Sequence, residues 1–356
     1  MGTTFDHKCP NCEAPLKFNP HGQNWKCEFC RSEFTIDEIE FHEKKRDKVL
    51  SKESNGENKL NVYHCSNCGA EIIVDPNVAA TSCVYCRNVA ILKNKLQDEF
   101  SPDYVIPFKY TKEDAIEAFK KIGKKRPFMP KEFNRKDNIN EMSGIYIPFW
   151  LYDYTVDGDI NFSCKRVTHW VSGDYSYTKT DTYSAVRGGE VSFENIPVDG
   201  SKRFDNSIMN TIEPFNYTDL KEFNYSYLSG FLAEKYDVDK TEAEVDAKNR
   251  ASSSFEGVMK NDVTGYTTVV STKKDYNINT KLIKYVLLPV WMLNIKYHDK
   301  IYTFAMNGQT GKLIGDIPID KKKAFLYWIL ITLISFIVLF GIVFLVRGKI
   351  WELSIY

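Results

Sequence analysis

The sequence predicts an α+β chain with two small cysteine-clamped ribbons, a β-rich middle part with a few helices, and one C-terminal apolar helix. Three observations carry that reading. Eight of the 9 cysteines fall before residue 90, in two tetrads of the same spacing. Aromatic residues crowd the centre, in a chain with 21 Tyr and 23 Phe, as suits pleated, half-buried strands. Residues 324–346 hold no charged side chain.

At 356 residues the chain is long for one compact domain. Basic and acidic residues balance at 47 each, which gives no global attraction to nucleic acid or anionic lipid. MGTTFDHKCP offers no apolar run for a signal peptide, so a reduced, cytosolic setting is expected for the N-terminal side.

The first tetrad is Cys9, Cys12, Cys27 and Cys30, in a unit over 1–36; the second is Cys65, Cys68, Cys83 and Cys86, over 62–95. Each cysteine of the first recurs 56 residues later, and both tetrads read CxxC-x14-CxxC. That is an internal duplication. Two residues between thiolates let a tight turn aim both sulfurs at one ion, and about fourteen more make a hairpin that returns the second pair. Four thiolates leave no position open for water, so two structural Zn2+ sites are expected, neither catalytic. A redox CxxC site needs a βαβ surround that is not visible; an iron–sulfur centre would use the same four thiolates.

Gly69 follows Cys68 where such a turn often needs positive φ; Glu13 stands there in the first copy and is expected to be strained. Trp25 and Phe34, and Ile72, Val74 and Ile91, are the expected small cores. His7 and His64 flank the first ligands and are expected to be exposed neighbours.

Zinc ribbons often touch nucleic acid, but the local charge opposes it here. Lys8, Lys17, Lys26 and Arg31 are balanced by Asp6, Glu13, Glu28 and Glu33; in the second unit Arg87 and Lys93 are balanced by Glu71 and Asp75. Few counterions could be released from phosphates. A protein partner is therefore preferred, with a membrane-tethered nucleic-acid binder as the alternative.

Residues 37–61 read as a charged linker, a short helix and then a polar connector, with Lys44-Lys45-Arg46 on a solvated face. The β-rich part is expected over 100–320. Thr111 and Asp114 suggest a capping pair for a helix with Ala115, Ile116 and Phe119 on one face, stopped at Gly123. Strands are expected in IYIPFWLYDYTV, near 160–171, 175–186 and 263–273, and in KYVLLPVWMLNIKY and IYTFAMNGQTGKLIG, with Asn307-Gly308 a hairpin signal. DKTEAEVDAKNRASSSFEGVMK reads as a helix. IPFWLY (147–152) and LPVWML (288–293) share an aliphatic-Pro-x-Trp pattern that hints at two related halves. Pro148 and Pro289 are expected at strand edges or starts, since proline cannot donate to a ladder.

No hydrolase, P-loop or dinucleotide fingerprint occurs, and NGQTGK reads as turn residues, so no enzymatic activity is expected. His169 and His298 have no neighbouring catalytic partner in sequence, and Cys164 reads as a small core residue.

Residues 324–346 would make a helix of about 35 Å, enough to cross a hydrocarbon core of about 30 Å. A single-pass cell-membrane protein with the N-terminal part cytosolic is expected, ending in a short tail over 347–356. Lys321, Lys322 and Lys323 precede the span and Arg347 and Lys349 follow it, so loop charge barely decides orientation.

The tandem ribbons, IPFWLYDY and LPVWMLN, NGQTGKLIG with IPID, and the single span together resemble the bacterial transcription-factor-IIB-type zinc-ribbon membrane proteins, the YdjG-like family. The resemblance implies a membrane-anchored adaptor that recruits phage-shock-type envelope-stress proteins. Some relatives carry a primosomal-helicase label, but no helicase motif stands in this sequence. Neither the partner's identity nor an oligomeric state follows from it.

Overall fold

The computed structural model describes residues 7–42, 101–202, 206–234, 236–298 and 300–353, with side chains to 343, and the backbone of 62–64, 71–73, 78–82 and 89–91. Strands β1 (Leu16–Asn19), β2 (Asn24–Cys27) and β3 (Glu33–Phe34) lead into helix α1, described over 36–42. Strands β4 (Val62–His64), β5 (Glu71–Ile73), β6 (Val78–Ser82) and β7 (Val89–Ile91) follow. The body then runs β8 (Tyr104–Val105), α2 (Lys112–Lys125), α3 (Lys136–Asn140), β9 (Ser143–Ser172) and β10 (Tyr175–Asp199). Helix α4 (Asn206–Ile212) and β11 (Lys221–Glu222) connect to β12 (Leu232–Glu234), α5 (Lys240–Asn261), β13 (Thr268–Tyr297) and β14 (Lys300–Asn307). Last come β15 (Leu313–Gly315) and α6 (Lys321–Leu353).

The expected strand fragments near 160–171 and 175–186, and the part of 263–273 from Thr268 onward, belong to three much longer strands. β9 and β13 hold 30 residues each, about 100 Å apiece at 3.3 Å per residue. β9 lies antiparallel between β10 and β13.

The Pro-x-Trp resemblance becomes a local two-fold. Ile147 opposes Leu288, so equivalent positions of the two segments meet. The surroundings repeat about that pair. β12 runs parallel to β9 at Ile145–Tyr146, and β8 runs parallel to β13 at Val286–Leu287. Asp199 at the end of β10 faces Phe149, and Asn307 at the end of β14 faces Val290. Trp150 Nε1 donates to Val238 O at 2.9 Å, and Trp291 Nε1 to Tyr110 O at 3.0 Å. The body is thus a tandem β-α-β-β repeat, in which each long strand is flanked by the other repeat's short one.

Both prolines lie inside long strands, not at their ends. The Gly200 amide donates to Pro148 O at 2.9 Å and the Gly308 amide to Pro289 O at 2.8 Å. In an antiparallel strand a residue's N and O point to the same side. The absent N–H of each proline therefore faces the gap where β12 gives way to β10, or β8 to β14. The edge expected from proline chemistry exists, but locally.

Helix α2 starts with the expected capping box, Thr111 with Asp114, and buries Ala115 and Phe119. It runs past Gly123 to Lys125; the stop is Arg126, held extended (φ −121, ψ 85) ahead of Pro127. Asp239 caps α5 through the amides of Thr241 and Glu242. That helix turns Ala243, Ala247, Ala251, Phe255 and Met259 inward, into the cluster that holds Tyr154, Val156, Ile160, Phe162 and Cys164 of β9. On the opposite sheet face, Met209, Ile212 and Phe215 cover Ile147, Phe149, Leu288 and Val290. β14 and β15 form the expected hairpin, joined by five residues: Asn307 Oδ1 accepts from the Gln309 and Thr310 amides, both at 2.9 Å, and Gly311 takes φ 75.

The ribbon ladders repeat at the same offset as the cysteines. Lys8 bridges Pro15 as His64 pairs Glu71, and Trp25 pairs Phe34 as Thr81 pairs Ala90. β6 continues into the main sheet by pairing with β12.

Candidate metal centre

Two knuckles build the first site. In each, the amide four residues after the leading cysteine folds back: Glu13 N to Cys9 O at 2.8 Å, and Arg31 N to Cys27 O at 2.9 Å. The turn needs positive φ just after its second cysteine, and Glu13 (φ 62) and Arg31 (φ 63) both adopt it. The strain expected at Glu13 is present; that at Arg31 was missed, although it occupies the same place after Cys30.

β1 and β2 then bring the knuckles together. Cys9 Sγ lies 3.4 Å from Cys30 Sγ, Cys12 Sγ lies 3.5 Å from Cys27 Sγ, and all four sulfurs are within 4.8 Å of one another. A tetrahedron with metal–sulfur bonds of about 2.3 Å has edges of about 3.8 Å. The group fits, and it could hold a metal ion such as zinc. Cys9 and Cys27 are buried, whereas Cys12 and Cys30 face solvent. Burial pushes the Cys9 thiol up to about 12, while the Ser32 hydroxyl and amide draw Cys30 down to about 6.

The ribbon does not stand apart from the body. Trp25 Nε1 donates to Ser226 O at 2.7 Å, the Phe18 amide to Ser229 O at 3.1 Å, and Gln23 Nε2 to Phe108 O at 2.8 Å. Phe18, Trp25 and Tyr227 pack edge-on at 5.0–5.6 Å, and Phe108 stacks on Phe231 at 4.1 Å. One aromatic core is therefore continuous from the metal site to the sheet. Helix α1 adds a bond from Asn224 Nδ2 to Glu40 Oε1 at 3.0 Å. This docking was invisible in the sequence, because its partners lie from 85 to about two hundred residues apart. What remains exposed includes Phe29, in the second knuckle (77%), and Phe41 (68%).

Lys17 pairs with Glu28 at 2.9 Å and Lys26 with Glu33 at 3.3 Å. Half of the ribbon's cations are thus held by its own acids. His7 is buried, not exposed as expected, because its carbonyl accepts the Leu16 amide and draws it under the hairpin. Cys164 is fully buried among core side chains. His169 bonds Thr178 on the exposed part of the β9–β10 hairpin, and His298 occupies the turn before β14 with φ 48. Cys65, Cys68, Cys83 and Cys86, with Val74, lie outside the described residues, as do the side chains of His64, Ile72 and Ile91.

Helix α6 is continuous over 33 residues, so the expected tail remains helical to Leu353. Lys321–Val343 is long and apolar enough to cross a membrane, and an 18-residue stretch within it has mean hydropathy 2.6.

No family model and no solved structure matches the chain. It is 34% identical over 321 residues to the uncharacterized protein YdjG of Bacillus subtilis (strain 168), across 90% of this chain and 92% of that protein. At that identity and coverage, the chain belongs to the YdjG family.

Proposed function

We propose that this protein is a membrane-anchored adaptor. Its cysteine ribbons each hold a structural zinc ion on the cytosolic side and recruit a protein partner to the membrane. The observation that carries this reading is the composition of the free surface of the first ribbon and helix α1. The Trp25 face is spent on the body, Lys17 and Lys26 are paired, and Phe29 and Phe41 are left outward. An apolar, charge-neutral surface suits a protein hot spot and offers little to phosphates. The partner class, phage-shock-type envelope-stress proteins, comes from the family resemblance in the sequence. The closed donor set leaves no open metal position, in keeping with a binding role and no enzymatic one.

The test is capture of a phage-shock-type protein by the full chain in detergent, at low and moderate salt, for wild type and Phe29→Asp. Capture that changes little with salt and falls at least tenfold in the variant is the expected result. Tight, salt-sensitive binding of DNA or RNA with no captured protein would overturn the reading in favour of a nucleic-acid binder.

A further inference from the structure

Residues 120–136, KKIGKKRPFMPKEFNRK, hold eight basic residues and one acid, Glu132, in a chain whose 47 basic and 47 acidic residues cancel overall. They form the end of α2, the loop after it, a 3-10 turn at Lys131–Asn134 and the start of α3. The fold fastens this run to the first turn of α6. The Asp320 amide donates to Phe128 O at 2.8 Å, Lys323 Nζ donates to Met129 O at 2.6 Å, and the Phe128 ring packs edge-on against Tyr327 at 5.5 Å. Asp320 itself caps α6 through the amides of Lys322 and Lys323.

If α6 spans a bilayer, the depth of the run follows. Tyr327 lies four residues beyond Lys323, about 6 Å along the helix, where an aromatic marks the boundary between headgroups and acyl chains. Phe128, in contact with it, lies at the same level. Lys124, Lys125, Arg126, Lys131, Lys321 and Lys322 are exposed around that point and, among the described residues, form no ion pair. The three contacts to α6 hold this run beside the start of the apolar helix.

We infer that this face is a docking surface for anionic phospholipid headgroups, seating the body directly on the membrane from which α6 emerges. The inference rests on the membrane reading of α6. Charge complementarity and continuity with the span select a lipid surface over a soluble anion. Each cation close to an anionic leaflet is worth about a fivefold gain in binding; six in one patch would hold the body against the surface instead of leaving it hinged at Asp320.

The experiment uses the full chain in phosphatidylcholine bilayers doped with phosphatidylglycerol, excised as polymer-bounded discs. Lipid content is measured for wild type and for Lys124→Glu/Arg126→Glu/Lys131→Glu; alkaline carbonate extraction is run alongside. The expected result is phosphatidylglycerol enriched around the wild-type protein, with at least a fivefold loss of that enrichment on raised salt or in the variant, while both proteins resist extraction. Resistance to extraction with no preference for the anionic lipid would overturn the docking surface and leave the span standing. Release of the wild type by carbonate would overturn both. Phosphatidylglycerol enrichment unchanged in a folded variant would also overturn the assignment, as would DNA binding by these residues without lipid preference.

Discussion

Glu13 and Arg31 carry left-handed backbone that L-residues adopt at a cost of about 1–2 kcal/mol. Glu13→Gly should therefore raise the thermal stability of the metal-loaded ribbon by about 0.5–1 kcal/mol, read as an increased melting temperature with unchanged metal content. Asp199 carries a different cost, a carboxyl taken out of water. Burial, with help from the charges of Asp237 and Glu234, pushes its carboxyl up to about 7, and its Oδ2 has no hydrogen-bond partner. The other repeat has Asn307 at this place, satisfied by the carbonyls of Ile212 and Pro214. Because the folded carboxyl holds its proton to higher pH than the unfolded one, stability should fall as pH rises from about 4 to 7. Asp199→Asn should remove that slope and stabilise the protein by about 1–3 kcal/mol at neutral pH, with the gain vanishing near pH 4. Unfolding of both proteins across that range checks the sign. The cysteines were legible because ligand geometry is local. Asp199 was not, since its burial is created by β12 and the second repeat.

At the scale of elements, the first ribbon and the body share one aromatic core. Trp25→Ala should cost about 3–5 kcal/mol and loosen the ribbon from the 226–231 segment, seen as faster amide exchange at Phe18 while the four thiols still bind metal. Ribbon spacing, the α2 cap and the presence of α5 could all be read in sequence, because each depends on neighbours within about twenty residues. The long strands could not. Periodicity showed separate fragments of β9, β10 and β13, whereas the strands run on through Gly158 and through the bulge between Phe193 and Ile196. The ladders pass through these points because pairing on both sides of β9 holds its backbone extended. Pro148 and Pro289 show the same limit. Their chemistry was read correctly, but the position of the edge depends on which partner strand ends beside them.

For the whole molecule, the tandem repeat forms a platform with the first ribbon packed against it and α6 fastened near Phe128. Removing residues 321–356 should let raised salt shift the protein to the soluble fraction with its metal retained, since Asp320 and the body end before the apolar segment and salt screens the remaining basic face. The central claim is that each tetrad clamps a structural zinc ion. The most direct measurement is metal content per chain of the reduced full-length protein, beside Cys9→Ser and Cys68→Ser. Two zinc ions in the wild type and one in each variant is the expected result; none in the wild type, or iron with visible absorbance, would contradict the account.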